Sequence, residues 1–200
     1  MRHLRLLLPF ALLALALGLA ACGGGESDED KVVEVIETSV TSTDPADCEK
    51  LATQAFLEQT QFSKGTQAVK DCEEDADDKN HPDAAEVSNV KVDGSQATAD
   101  TTVRGGVFDG QTLTVALVEE DGDWKLDKIT AFAKFDQGKF AASLEGAVKS
   151  GKEPLDPEIT SCLGDALRKL PKAEAEQMLI GGSTQPIFEL VEGCAPESGQ

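Results

Sequence analysis

The 200-residue chain predicts an α+β fold. In it, N-terminal helices pack on a curved four-stranded antiparallel meander, and a small disulfide-stapled helical segment follows. Three observations predict this. Apolar residues from Asp44 to Cys72 recur at helical spacing. From Glu86 to Ile129 the period becomes two, punctuated by Asp93-Gly94, Asp109-Gly110 and Asp121-Gly122, and Asp-Gly between alternating segments marks hairpins. After residue 136 helical spacing returns, with Cys162 and Cys194 enclosing most of it.

The elements follow in order. Residues 1–21 have the layout of a secretory signal: Arg2 and Arg5, an apolar run from Leu4, then small residues before Cys22. Leu19-Ala20-Ala21-Cys22 resembles a bacterial lipobox. That resemblance implies a diacylglyceryl thioether on Cys22, an acylated amine and anchoring at the extracytoplasmic face of the cell membrane, since two acyl chains anchor stably. The rival reading is an uncleaved anchor helix with an incidental cysteine; Pro9 and Gly18 weaken such a span. Residues 22–45 are expected to form a lipidated flexible tether, beginning Gly23-Gly24-Gly25. Within it Lys31 to Ile36 is rich enough in β-branched residues to form an isolated strand.

Residues 46–135 form the expected α+β domain. Asp44-Pro45 supplies an N-cap and a first-turn proline for a helix carrying Cys48, Leu51, Ala55, Phe56 and Phe62, ending at Gly65. Thr66 caps a second helix with Ala68, Val69 and Cys72, which Asn80-His81-Pro82 breaks. The strands read Glu86–Val92, Gln96–Phe108, Gln111–Glu119 and Trp124–Phe132. Leu113, Val115 and Leu117 share one face of the third, and Gly105-Gly106 marks a bulge or bend late in the second. Residues 136–200 are the helical C-terminal segment. Phe140, Leu144 and Val148 mark one helix, and Asp156-Pro157 caps another through Leu170. Ala175, Met178 and Leu179 mark a third that Gly181-Gly182 stops. Ile187, Leu190 and Val191 mark a last one near Cys194.

Two helices, a meander and an Asp-Gly-Asp-Trp124 turn, with cysteines at 48 and 72, resemble the nuclear transport factor two-like superfamily. More narrowly they resemble small actinobacterial lipoproteins of that cone-shaped fold. The resemblance covers about residues 46–133. It implies a sheet curled around helices, often with a pocket, in a superfamily of isomerases, dehydratases, binders and assembly modules.

Four cysteines remain beside Cys22, and three pairings are open to them. Cys48–Cys72 and Cys162–Cys194 are favoured, because each brackets one helical segment; a bridge stabilises by about 3–4 kcal/mol in the loop-entropy picture. The rival zinc site lacks a closely spaced Cys pair and has one histidine, His81, after residue 21. No metal and no cofactor is expected.

Candidate chemistry is sparse. Asp100 and Arg104 on the second strand and Trp124 at the start of the fourth are the residues expected to line a pocket, with Phe56, Phe62, Phe108, Phe132 and Phe135 as core or lining. Arg104 greets an anionic ligand or pairs with Asp100, four residues away on the same strand face. His81 is a base, a pH sensor or a plain loop histidine. Isomerases of the resembled superfamily pair an Asp base with a Tyr, and this chain has no tyrosine. The acidic run Asp71, Glu73, Glu74, Asp75, Asp77, Asp78 is a calcium candidate or a solvated helix face, and it lacks the glycine of an EF-hand loop. Gly-x-Ser-x-Gly, P-loop, HExxH and Gly-x-Gly-x-x-Gly patterns are absent. The formal charge of −19 opposes binding to nucleic acid. The expectation is a membrane-anchored, non-enzymatic binding or assembly module with a protein or small-molecule partner. The alternatives are a carrier of a small apolar or amphipathic ligand, or a small enzyme of the same fold.

Overall fold

Four strands pair in chain order into one open antiparallel sheet in a computed structural model, which describes residues 26–76, 81–150, 155–181, 183 and 185–194. They are β1 (Ala84–Asp93), β2 (Gln96–Arg104), β3 (Thr112–Glu120) and β4 (Asp123–Lys134). Four helices precede them: α1 (Asp28–Thr41), α2 (Asp47–Leu51), α3 (Gln54–Thr60) and α4 (Thr66–Asp75). Four follow: α5 (Gln137–Ser150), α6 (Pro157–Lys169), α7 (Lys172–Ile180) and α8 (Gln185–Cys194). The α+β class, the meander and its strand order are as the hairpin signals predict.

The first correction is α1. The segment expected as tether and isolated strand is a helix over Asp28–Thr41 and belongs to the core. Ser27 accepts from the Asp30 N–H while the Asp30 carboxylate accepts from the Ser27 N–H, a complete capping box. Val32 and Ile36, four apart, are both 0% exposed against the sheet. The β-branched run imitates a strand locally, but its buried positions repeat at helical spacing, and packing decides. The folded unit therefore includes residues 28–45, which the expected boundary at 46 leaves out.

The helix expected from Asp44 to Gly65 is also divided. Asp44 closes a turn through the Ala46 N–H, and α2 starts only at Asp47. At Ala52 the chain turns extended and bridges Leu126 in parallel; the Thr53 N–H donates to the Leu126 carbonyl and the Thr53 hydroxyl caps α3. The Glu58 carboxylate accepts from the Gly65 N–H and Lys64, closing the turn into α4. Gly65, at φ +57°, starts α4 instead of merely ending its predecessor.

The core lies between α1–α4 and one sheet face. Ala97, Ala99, Thr101 and Val103 of β2, Leu113, Val115 and Leu117 of β3, and Trp124, Leu126 and Ile129 of β4 are buried there. β2 ends at Arg104. Gly105 and Gly106 lie in the following loop with positive φ, not in a strand. An alanine Cβ at Gly105 would sit 2.8 Å from Asp83 Oδ2.

The C-terminal segment packs on the sheet's far end. Phe108, Phe132, Phe135 and Phe140 form a chain of tilted ring contacts with centroids 4.6–6.4 Å apart, continued by Leu163, Leu167, Ala175 and Met178. Three glutamines bind the parts together. Gln59 pairs its amide with the Ile129 N–H and carbonyl and donates to the Ile180 carbonyl. Gln111, 0% exposed, does the same with both backbone groups of Asp136. Gln137 donates to the carbonyls of Leu167 and Leu170. The Cys48–Cys72 and Cys162–Cys194 sulfurs are 2.02 and 2.08 Å apart, the favoured pairs. The first joins α2 to α4 and the second joins α6 to α8.

Candidate functional site

Asp100, Arg104 and Trp124 are not brought together. Asp100 is on the sheet face opposite the helices, in the row of Thr98, Thr102 and Arg104 that alternates with buried Ala97, Ala99, Thr101 and Val103. A bulge in β1 sets Asn89 at φ +54°, a conformation asparagine tolerates. Its amide donates to Asp100 Oδ2 at 2.8 Å, and Thr114 donates to Oδ1 at 2.7 Å. These bonds, Asn89's first, hold the Asp100 carboxyl below its ordinary value. A base needs a free oxygen aimed at substrate; both oxygens of Asp100 are engaged.

Arg104 is exposed on the same face and pairs with Glu86 of β1, not with Asp100. Strand pairing explains the choice: Ala84 opposes Arg104 and Glu86 opposes Thr102, so Glu86 is the diagonal neighbour. Trp124, 3% exposed, is core. It also forms the inner wall of a surface groove with Lys31, Val35, Lys50 and Leu51.

The interior between helices and sheet is filled by Ile36, Thr101, Leu117 and Leu126, each under 2% exposed. A cavity of about 170 Å³ lies instead among the helices and is lined by none of Asp100, Arg104 and Trp124. Ala52, Phe56 and Leu57 form an apolar floor and the Cys48–Cys72 bridge one wall; Asp44, Asp47, Asp75 and His81 supply its charged and titratable lining. Asp47 accepts from the Ser42 hydroxyl at 2.6 Å, and the His81 Nδ1 is 3.2 Å from the Pro82 carbonyl. No lysine or arginine lines it among the described residues. The arrangement offers carboxylates beside an apolar floor: shape and charge for binding. Asp44, Phe56, Asp75, His81 and the Cys48–Cys72 pair, each singled out in the sequence for another reason, meet at this cavity.

Of the acidic run, Asp75 reaches the cavity, Glu73 and Glu74 are exposed, and Asp77 and Asp78 lie outside the described residues. Among the described residues no three His, Cys, Asp or Glu side chains are grouped to hold a metal ion. No described helix is long and apolar enough to cross a membrane. Cys22 and residues 1–21 lie outside the described residues. No family model, curated protein or solved structure matches the chain.

Proposed function

We propose that the chain is a lipoprotein held at the extracytoplasmic face of a cell membrane by lipid on Cys22, where it acts as a non-enzymatic binding or assembly module of the cone-shaped α+β type. One observation carries this reading. Four cysteines pair evenly in the fold and leave Cys22, the residue that ends the lipobox-like stretch, as the odd one of five. Two bridges in one small unit fit an oxidising compartment. Cys22→Ser tests it. The variant should accumulate as unprocessed precursor or leave the membrane fraction, and intact-mass analysis of the wild type should show a lipid-modified N-terminal cysteine. A variant that stays processed and membrane-bound rules the anchor out.

The helix-lined cavity favours a second reading, carriage of a small amphipathic ligand. Its carboxylates beside Phe56 and Leu57 suit a cationic head on a short apolar body, and the formal charge of −19 raises the local concentration of cations. Native mass spectrometry of protein taken from its own membrane tests this second reading: a copurifying small amphipathic cation supports carriage, and protein that carries none counts against it.

A further inference from the structure

The position of α1 shortens the tether. Five residues, 23–27, separate Cys22 from Asp28, and six Cα steps span at most about 20 Å. α1 also starts at a defined end of the molecule. Lys31 and Glu34 share a groove wall with Gly122, Asp123 and Trp124 at the β3–β4 turn. The Glu119 N–H donates to the Ser95 carbonyl, which brings the β1–β2 turn to the same end. The opposite end of α1, at Ser39 and Ser42, lines the cavity with His81. The β2–β3 loop and α5 lie past the far strand ends, about 30 Å from the turns at some 3.3 Å per residue.

The near end is acidic. Asp28, Glu29 and Asp30 form the first turn of α1, and Asp93, Asp121 and Asp123 are exposed at the two turns. Lys31, the neighbouring cation on α1, is already paired with Asp28 at 2.8 Å.

We propose, on the reading of Cys22 as the lipid anchor, that this acidic end is the surface the domain turns toward the bilayer. The domain stands on end within about 20 Å of the lipid, with the cavity and the C-terminal helices directed outward. Anionic headgroups repel the near end, so it hovers and does not adsorb. At physiological salt the Debye length of about 8 Å is shorter than the tether, so the chain has room to relieve the repulsion by standing off.

The chain's one tryptophan, Trp124, lies at the near end and serves as an energy-transfer donor to dansyl-labelled lipid in vesicles carrying the anchored protein. A second protein moves the donor to the far end by Trp124→Phe with Lys139→Trp, where Lys139 is exposed beside the β2–β3 loop. Transfer should be several-fold stronger from the near donor, and inserting roughly twenty Gly/Ser residues after Gly25 should erase the difference. On phosphatidylglycerol vesicles at low salt the near donor should transfer less than on phosphatidylcholine, and high salt should restore it. Equal transfer from the two donors on the native tether, or stronger transfer from the far one, overturns the orientation. A near donor indifferent to lipid charge overturns the repulsion. The mature chain from Cys22 contains every described residue, and coupling its Cys22 thiol to a maleimide lipid places it on the vesicle regardless of processing. Failed lipidation in cells therefore counts against the anchor alone.

Discussion

Each oxygen of Asp100 is occupied, one by Thr114 and one by Asn89, and this has a pH signature. The carboxyl is more acidic folded than unfolded. The stabilisation it provides is therefore complete above the ordinary carboxylate value near pH 4 and is lost as pH falls through the lowered folded value. Asp100→Asn should remove that component, by less than about 1 kcal/mol because the group is part-exposed. Urea midpoints should then fall less steeply with acid in the variant below about pH 4; parallel acid limbs would mean that the two hydrogen bonds contribute nothing. At this scale the sequence names the residue but not its setting. Alternation places Asp100, Thr102 and Arg104 on one strand face, yet which face meets the helices depends on α1, and the partner of Arg104 depends on the register with β1. Gln59 and Gln111 leave no local signal, because their partners are backbone groups 70 and 25 residues away.

The helix α1 separates a tether from a core element experimentally. Ile36→Ala removes a side chain that is 0% exposed and should cost about 2–4 kcal/mol in urea unfolding through lost burial and the cavity left behind; a tether residue would cost almost nothing. The opposite case is α8. Its Leu190 and Val191 are only partly buried and Phe188 is 59% exposed, so the bridge to Cys162 is its main restraint. Closing a loop of that length contributes about 3–4 kcal/mol by chain entropy. With Cys162→Ser and Cys194→Ser together, limited proteolysis should cut near α8 early while Trp124 emission stays native. Loss of native emission in step with cutting would show that α8 supports the whole fold. The helices after residue 136 were legible because caps and glycines punctuate them: the Asp156 side chain caps the Glu158 N–H and Gly181 stops α7. The break at Ala52 was not legible, since a helical apolar pattern runs through it and only the edge of β4 pulls the chain out of the helix.

One net charge covers the whole molecule. At −19 the folded state repels itself, and the surface ion pairs, such as Lys64–Glu58 at 3.0 Å, return little because they are solvated. Thermal midpoints should therefore rise between low salt and roughly 0.5 M salt as repulsion is screened; a fall would mean that the pairs outweigh the repulsion. The α+β class, the four-stranded meander and the helices after residue 136 are legible in the sequence alone, because turn chemistry, caps and periodicity act over a few residues. Only the tertiary structure decided that residues 28–41 belong to the core, that the interior is filled, that the cavity lies among the helices, and that Asp100 and Arg104 face away from both. Those outcomes depend on which surfaces meet across long sequence separations, where burial against a partner overrides local preference.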